Sequence, residues 1–219
     1  MQLQLIMKQY LLSITLILIT TTTMVAQTKS AEGEYYLQGV METASGFKLN
    51  ADHTFEFFFS YGALDRQGAG TWKQAGETIV FNSNDKHKQD FTLQQSTTQP
   101  AKGTTIQISG ANAQVNKLVH AIVKNAGGEE QAAADADGRM HFNLAKADSI
   151  ILLFEWCPDK RSVFAIPNTA NNFFEFSILP SLTDVVFDDF KLQLNDEGFT
   201  GPHPLDKAKS FRYKKARAQ

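Results

Sequence analysis

Short segments in which large apolar and polar side chains alternate are the feature that most constrains the fold of this chain. In residues 54–61, one face of an extended segment takes Phe55, Phe57, Phe59 and Tyr61, and the other takes Thr54, Glu56, Phe58 and Ser60. A period of two is the pattern of a β-strand. Gly, Asn and Asp clusters interrupt such segments at intervals of roughly eight to twelve residues. The pattern predicts an all-β fold of antiparallel β-sandwich or small barrel modules.

Residues 96–103 contain no large apolar side chain and predict a linker. They divide the chain into an N-terminal β-meander over residues 31–95 and a second β-sandwich module over residues 104–213. A basic tail, residues 214–219, follows. The sequence leaves open whether the two modules form one domain or two.

One stretch, residues 115–124, fits two kinds of secondary structure. Val115, Leu118, Val119, Ile122 and Val123 have the spacing of one helical face. The same stretch contains an apolar run over residues 118–124 that is typical of a buried strand. We favour the strand because a turn and further strands follow at once.

The N-terminus has the pattern of a secretory signal peptide over residues 1–26. Lys8 precedes an uncharged apolar core at residues 10–19, and Ala26 offers a small residue for cleavage before Gln27. We therefore expect an exported protein, periplasmic or extracellular, with little helix beyond the signal peptide and no stable membrane insertion after cleavage. The alternative is an anchor formed by an uncleaved N-terminal helix.

The charge and cysteine content argue against a nucleic-acid-binding protein and against a protein that uses its cysteine in a disulfide or in catalysis. A formal net charge of −2 gives no concentrated basic surface, so we expect no nucleic-acid partner. The single cysteine, Cys157, has no intramolecular disulfide partner and follows the apolar run at residues 150–154. No flanking residue supplies a base to activate its thiol, so we expect a buried structural side chain.

Two segments resemble known families of β-domains. Ser45-Gly46-Phe47-Lys48-Leu49, together with Gly70-Thr71-Trp72 and Ile79-Val80-Phe81, resembles lipocalin-like β-meanders of secreted bacterial proteins. Residues 119–123 and 134–142, in which a strand leads through an acidic turn with glycine into a second strand, resemble the transthyretin-like sandwich of carboxypeptidase regulatory domains. Both families mostly bind or support other molecules, and neither resemblance implies catalytic residues here.

The titratable residues form no pattern that indicates a particular reaction. Asp135 and Asp137, with Glu129 and Glu130 nearby, offer oxygen ligands for Ca²⁺, but their spacing is that of a hairpin turn. A pair made of His120 and His141 on neighbouring strands is a conceivable metal site. Asp188 and Asp189 are adjacent, so strand geometry points them to opposite faces. We predict no cofactor, metal or catalytic residue.

Aromatic residues are the remaining candidates for function. Phe55, Phe57, Tyr61 and Trp72 are predicted to line an apolar ligand cavity in a small barrel, with the alternative that they fill a core. The expected function is non-catalytic binding of a small apolar ligand, a glycan or a protein. The alternative is a secreted hydrolase whose carboxylates or histidines are brought together by the fold.

Overall fold

Among the described residues, β-strands make up most of the regular structure. The computed structural model describes residues 30–87, 89–167 and 170–217. The strands are β1 (Gly33–Gln38), β2 (Thr43–Leu49), β3 (Thr54–Tyr61), β4 (Leu64–Ala75), β5 (Thr78–Asn82), β6 (Phe91–Thr97), β7 (Thr104–Ser109), β8 (Val119–Asn125), β9 (Gly128–Ala133), β10 (Arg139–Phe142), β11 (Ser149–Phe154), β12 (Arg161–Ala165), β13 (Phe173–Ile178), β14 (Phe190–Leu194), β15 (Gly198–His203) and β16 (Asp206–Lys215). The described helical segments are a short helix, α1 (Ala113–Asn116), and a 3-10 turn at Pro180–Thr183. The all-β prediction is confirmed.

The first five and the last three strands close into one antiparallel barrel. Their order around the barrel is β1-β16-β15-β14-β5-β4-β3-β2. The side chains that alternate inward pack against one another in the barrel core, as in small barrels generally. The largest of them are Tyr35, Phe47, Phe55, Phe57, Trp72, Phe81, Phe187, Phe190, Phe199 and Tyr213.

The segment between β5 and β14 forms a β-sandwich. Its two four-stranded sheets have the orders β10-β7-β13-β6 and β12-β11-β8-β9, and the β13–β7 pairing is parallel. Apolar side chains from both sheets share one core, which includes Phe91, Ile106, Val119, Ile150, Leu152, Phe174 and Phe176. The sandwich is therefore an insertion in the barrel.

The sheet pairing differs from the predicted module boundaries. Residues 190–215 do not join the sandwich, because β14 pairs with β5 and β16 pairs with β1. In the predicted linker at residues 96–103, residues 96 and 97 end β6, and residues 98–103 form the loop to β7 of the same sheet. The buried Asn172 side chain holds this loop by donating to the carbonyls of Gln99 and Ala101 at 3.1 and 2.9 Å. Side-chain alternation shows which face of a sheet each side chain occupies, but it does not show which strands are neighbours.

The ambiguous residues 115–124 are mainly a strand. α1 ends at Asn116, and β8 begins at Val119 and pairs with both β9 and β11. Val119, Ala121 and Val123 are fully buried on one face of β8. The strand interpretation of this stretch is confirmed.

A buried arginine joins the barrel to the sandwich. Arg66 of β4 is 3% exposed and donates from Nη1 and Nη2 to both carboxylate oxygens of Asp159, at 2.6 and 2.9 Å. It also donates to the carbonyls of Thr183 and Asp184. Burial by itself would raise the pKa of the Asp159 carboxyl. The hydrogen bonds and positive charge of Arg66 have the larger combined effect, so the pKa of Asp159 is lowered. The pair is therefore charged and fixes one module against the other.

Both ends of the chain extend past the described residues. The predicted signal peptide, residues 1–26, lies outside them and stays a prediction, as do the last two residues of the predicted tail. Lys214 and Lys215 belong to β16 and not to a tail. No helix in the described part of the chain is both long and apolar enough to cross a membrane.

Candidate functional site

A cleft of about 680 Å³ lies against the barrel wall beside the two segments that connect barrel and sandwich. One side is formed by outward-facing side chains of β1 to β4. The other side is formed by residues of the connecting segments 83–87 and 184–186. The described lining residues are Glu34, Tyr36, Phe47, Lys48, Glu56, Phe57, Phe58, Gln67, Gly68, Ala69, Ser83, Asn84, Asp85, His87, Asp184, Val185 and Val186.

Two exposed aromatic rings lie next to each other in this cleft. Tyr36 of β1 and Phe58 of β3 are 42% and 41% exposed, and both are register partners of Gly46 on the strand between them. Their ring centroids are 6.2 Å apart at an interplanar angle of 60°. Exposed aromatic rings are enriched where proteins bind other molecules, so this pair is the main candidate for ligand contact.

Gly46 allows the two rings to approach. A Cβ atom at this position would lie 2.8 Å from Cε1 of Phe58 and 3.2 Å from Cδ1 of Tyr36. It would also lie 2.6 Å from the backbone oxygen of Tyr35. A side chain would therefore force the rings apart, and the glycine in the strand interior has a packing reason.

Beside the aromatic pair runs a row of charged side chains on the same face of the barrel. Glu34, Lys48 and Glu56 are register partners on β1, β2 and β3. Lys48 Nζ lies 3.8 Å from Glu56 Oε1, and the Tyr36 hydroxyl donates to Glu34 Oε2 at 2.7 Å. The hydrogen bond to Glu34 raises the pKa of Tyr36. The phenol is thus protonated and oriented by the carboxylate.

The connecting segments are held in place by hydrogen bonds to each other and to β4. Ser83 N donates to Phe187 O at 2.9 Å, and Phe187 N donates back to Ser83 Oγ at 3.0 Å. Val185 N donates to Gln67 O at 2.6 Å. Phe187 then inserts its ring into the barrel core, where it contacts Phe47 and several other rings. This side of the cleft is therefore formed by ordered backbone.

A buried polar network lies behind His87 at the edge of the cleft. His87 Nε2 is 3.4 Å from Asp90 Oδ1 and 3.3 Å from Lys160 Nζ. Lys160 Nζ donates to Asp90 Oδ1 at 3.1 Å and to the carbonyl of Ser181. Asp90 and Lys160 are 4% and 9% exposed. The network joins the first residues of the insertion to the β11–β12 turn and the 3-10 turn.

The four predicted ligand-binding residues occupy different environments. Phe55 and Trp72 are 1% and 3% exposed in the barrel core, and Trp72 Nε1 donates to the carbonyl of Asn50 at 3.1 Å. Phe57 borders the cleft, but its ring is 3% exposed and packs against Phe47 and Phe187. Tyr61 is 53% exposed at the end of β3, outside the cleft. Three of the four side chains, those of Phe55, Phe57 and Trp72, are therefore part of the barrel core.

The residues considered as metal ligands have other partners. Asp135 Oδ1 accepts from the backbone N–H groups of Asp137 and Arg139, at 2.9 and 2.8 Å, as expected of a turn. His120 and His141 lie in different sheets, because β8 pairs with β9 and β11 while β10 pairs with β7. Within the described residues, no group of three or more His, Cys, Asp or Glu side chains is placed to hold a metal ion.

The adjacent Asp188 and Asp189 face separate partners. Asp188 forms an ion pair with Lys86, and Asp189 Oδ1 accepts from Asn82 Nδ2 at 2.9 Å. Both pairs tie the end of the insertion to its beginning. The carboxylates are thus structural at this junction.

The aromatic pair was missed by the sequence reasoning, although one signal for it was present. Phe58 shares its strand face with Thr54, Glu56 and Ser60, so it is a large apolar residue on a polar face. Tyr36 stands in the same relation to Glu34 on β1. An aromatic residue on the solvent side of a strand is the pattern to look for, but alternation alone does not show that the two residues are neighbours.

Comparisons with known proteins add no relative. No family model, curated protein or solved structure matches this chain. The fold and the site therefore define the class by themselves: an antiparallel eight-stranded barrel with an inserted β-sandwich and an aromatic cleft on its wall. The lipocalin-like and transthyretin-like resemblances stay predictions.

Proposed function

We propose that this protein is an exported, non-catalytic binding protein whose ligand occupies the cleft beside the barrel wall. The observation that carries the proposal is the exposed pair of rings, Tyr36 and Phe58, held together over Gly46. Both rings line a cleft whose volume, about 680 Å³, lies within the range of about 300–1,000 Å³ that is typical of small-molecule sites. A ligand covering the rings would remove apolar surface from water at no cost in rearranging the strands.

The polar groups of the cleft favour binding over catalysis. Glu34 accepts the hydrogen bond of Tyr36, Glu56 faces Lys48, and His87 faces Asp90 and Lys160. These side chains are already engaged with protein partners. A general acid or base must instead reach the proton that it transfers.

A ligand screen by thermal unfolding tests the proposal, because a compound that binds the folded state raises Tm. We expect at least one compound from a mixed library of sugars, amines and apolar molecules to stabilise the wild type and Tyr61→Ala. Phe58→Ala, which removes one ring of the pair, should lose that shift. Tyr61 is the matched control, an exposed aromatic on the same strand outside the cleft. An equal shift in all three proteins would contradict the proposal.

A hydrolase is the second candidate, favoured by the carboxylates of Glu34, Glu56, Asp85 and Asp184 along one cleft. Hydrolysis of a glycoside requires two carboxyl groups facing each other across the scissile bond. Incubation of the protein with any ligand found in the screen, followed by mass spectrometry, separates the two functions. We expect the ligand intact; cleavage that is lost in Glu56→Gln would establish the hydrolase instead.

The proposed export is supported by the leader pattern of residues 1–26. Expression in a bacterial host with a Sec pathway, followed by intact-mass analysis of the exported fraction, tests it. We expect a chain that begins at Gln27. A membrane-bound product that retains Met1 or Met7 would contradict it.

A further inference from the structure

We propose that the ligand of the aromatic cleft is a neutral carbohydrate, bound with the apolar face of a sugar ring against Phe58 and Tyr36. This inference rests on the proposed function and names the chemistry of its ligand. Its support comes from the rings, the charges and the hydrogen-bonding groups of the cleft.

The ring pair suits a ligand with both apolar and polar parts. Tyr36 and Phe58 are each about two-fifths exposed, and they meet edge to face over Gly46. The face of an aromatic ring carries partial negative charge and its edge partial positive charge. The C–H groups on one face of a sugar ring are weakly positive, so they fit against an aromatic face while the hydroxyl groups point outward.

The charges of the cleft disfavour an anionic ligand. The described lining residues include the carboxylates of Glu34, Glu56, Asp85 and Asp184, against the single lysine Lys48 and His87. Most of the charge that an anion such as phosphate or an acidic glycan would meet is of its own sign. Such juxtaposition of like charges opposes binding.

Lys48 reduces the negative charge of the cleft beside the rings. Lys48 lies on the central strand of the row, between Glu34 on β1 and Glu56 on β3. Its single positive charge offsets one of the two carboxylates in the row, and its Nζ is 3.8 Å from Glu56 Oε1. The row thus keeps one excess carboxylate, and the salt dependence of binding distinguishes a neutral ligand from a cationic one.

The remaining polar groups match the edge of a sugar ring. Carboxylates accept hydrogen bonds from hydroxyl groups, and the side chains of Gln67, Asn84 and Ser83 both donate and accept. Gln67 is the register partner of Phe58 on β4, and Ser83 and Asn84 belong to the connecting segment. Hydroxyl groups, which donate and accept equally, are the ligand groups that satisfy such a mixed set.

Affinity electrophoresis of the mature chain tests the inference. Native gels containing mixed-linkage β-glucan, xylan, galactomannan or a soluble α-glucan are compared with gels containing alginate or polygalacturonate. We expect at least one neutral polysaccharide to retard the wild type and Tyr61→Ala equally, and neither anionic polymer to do so. Phe58→Ala and Tyr36→Ala should weaken binding of the matching oligosaccharide at least tenfold by calorimetry. Salt between 50 and 500 mM should leave that affinity within twofold, because no net charge is paired.

The outcomes separate the inference from the proposed function. Retardation by none of the neutral polymers, or retardation that persists in Phe58→Ala, would overturn the carbohydrate assignment. Salt-sensitive, Phe58-dependent binding of spermine or of a basic peptide would overturn it as well, while leaving ligand binding at the cleft intact. If none of these probes binds in a Phe58-dependent way, the carbohydrate assignment fails, and the proposed function fails with it only if no compound in the thermal-unfolding screen stabilises the protein in a Phe58-dependent way. Thermal unfolding of each variant checks that it is folded before binding is compared.

Discussion

Trp72 contributes to the barrel core through both its ring and its N–H group. The side chain is 3% exposed, and its Nε1 donates to the carbonyl of Asn50. Trp72→Ala removes a large buried ring and one of the two donors to that carbonyl, the other being His53 N, so we expect a loss of about 3–5 kcal/mol in unfolding free energy. Denaturant titration of both proteins measures it. A loss under about 1 kcal/mol would show that the ring is not part of the core.

Cys157 is a buried thiol in the core of the sandwich. It is fully buried, and burial raises its pKa, so the reactive thiolate is disfavoured. We expect slow labelling by a thiol reagent in the native protein and rapid labelling in denaturant. Cys157→Ser should lose about 1–3 kcal/mol of stability, because a hydroxyl replaces the thiol in an apolar environment. Rapid native labelling would contradict this assignment.

His203 is a buried histidine in a chain of hydrogen bonds. Leu205 N donates to its Nδ1 at 3.1 Å, so Nε2 carries the proton and donates to Ser45 Oγ at 3.1 Å. Ser45 in turn donates to the carbonyl of Phe58 at 2.9 Å. Burial lowers the pKa of His203 from 6.5 to about 4, and the charge of Asp206 opposes this shift only in part.

The lowered pKa of His203 predicts a loss of stability in acid. The unfolded state takes up a proton near pH 6.5, and the folded state does so only near pH 4, so stability is full above pH 6.5 and falls as the pH drops toward 4. The expected loss of unfolding free energy from this group is about 2 kcal/mol by pH 4.5. His203→Gln, which does not titrate, should be less stable at neutral pH but lose about 2 kcal/mol less between pH 7 and 4.5. Identical pH slopes in urea melts of both proteins would contradict this.

At the scale of elements, the pair formed by Arg66 and Asp159 joins β4 of the barrel to the β11–β12 turn of the sandwich. Asp159→Ala leaves the buried guanidinium with carbonyl acceptors alone, and we expect a loss of about 2–4 kcal/mol. Glu129→Gln, in the exposed pair with Lys124, is the matched control and should lose less than about 1 kcal/mol. Chemical denaturation of the three proteins measures both. Equal losses would mean that the burial of Arg66 adds nothing to the contribution of this pair.

Alternation predicted individual strands well and their partners poorly. The segment 54–61 is β3, and the apolar run that begins at residue 149 is β11, with Ile150, Ile151 and Leu152 all buried. The pairing of β14 with β5 could not be predicted, because side-chain period fixes the face of a strand and not its neighbour. The insertion was invisible for the same reason.

The candidate site depends on strand pairings that side-chain alternation does not predict. The polar-face position of Phe58 was readable, but its proximity to Tyr36 follows from the register of three strands through Gly46. The other side of the cleft comes from residues near positions 84 and 186, which are distant in sequence and meet at the ends of the insertion. Trp72 and Phe55, for which the sequence left a ligand cavity or a packed core open, lie in the barrel core, where a chain with a single cysteine depends on large apolar side chains.

At the scale of the molecule, the barrel needs strands from both ends of the chain. β1 and β5 would be open edges in a fragment of residues 31–103, since their partners β16 and β14 come from residues 190–215. We expect this fragment to lack a cooperative thermal transition by circular dichroism and to aggregate through its edges. The chain 31–219 is the control. Cooperative unfolding of the fragment would show that the meander is a domain by itself.

The position of the insertion sets an order for folding. All strands of the sandwich are contiguous in sequence, from β6 to β13, whereas β5 and β14 are separated by the whole of it. During synthesis the residues of the sandwich are complete before the last barrel strands emerge. Once folded, it brings residues 82 and 190 together, so the long loop between them no longer has to be closed as a flexible chain. We therefore expect closure of the barrel to follow folding of the inserted sandwich.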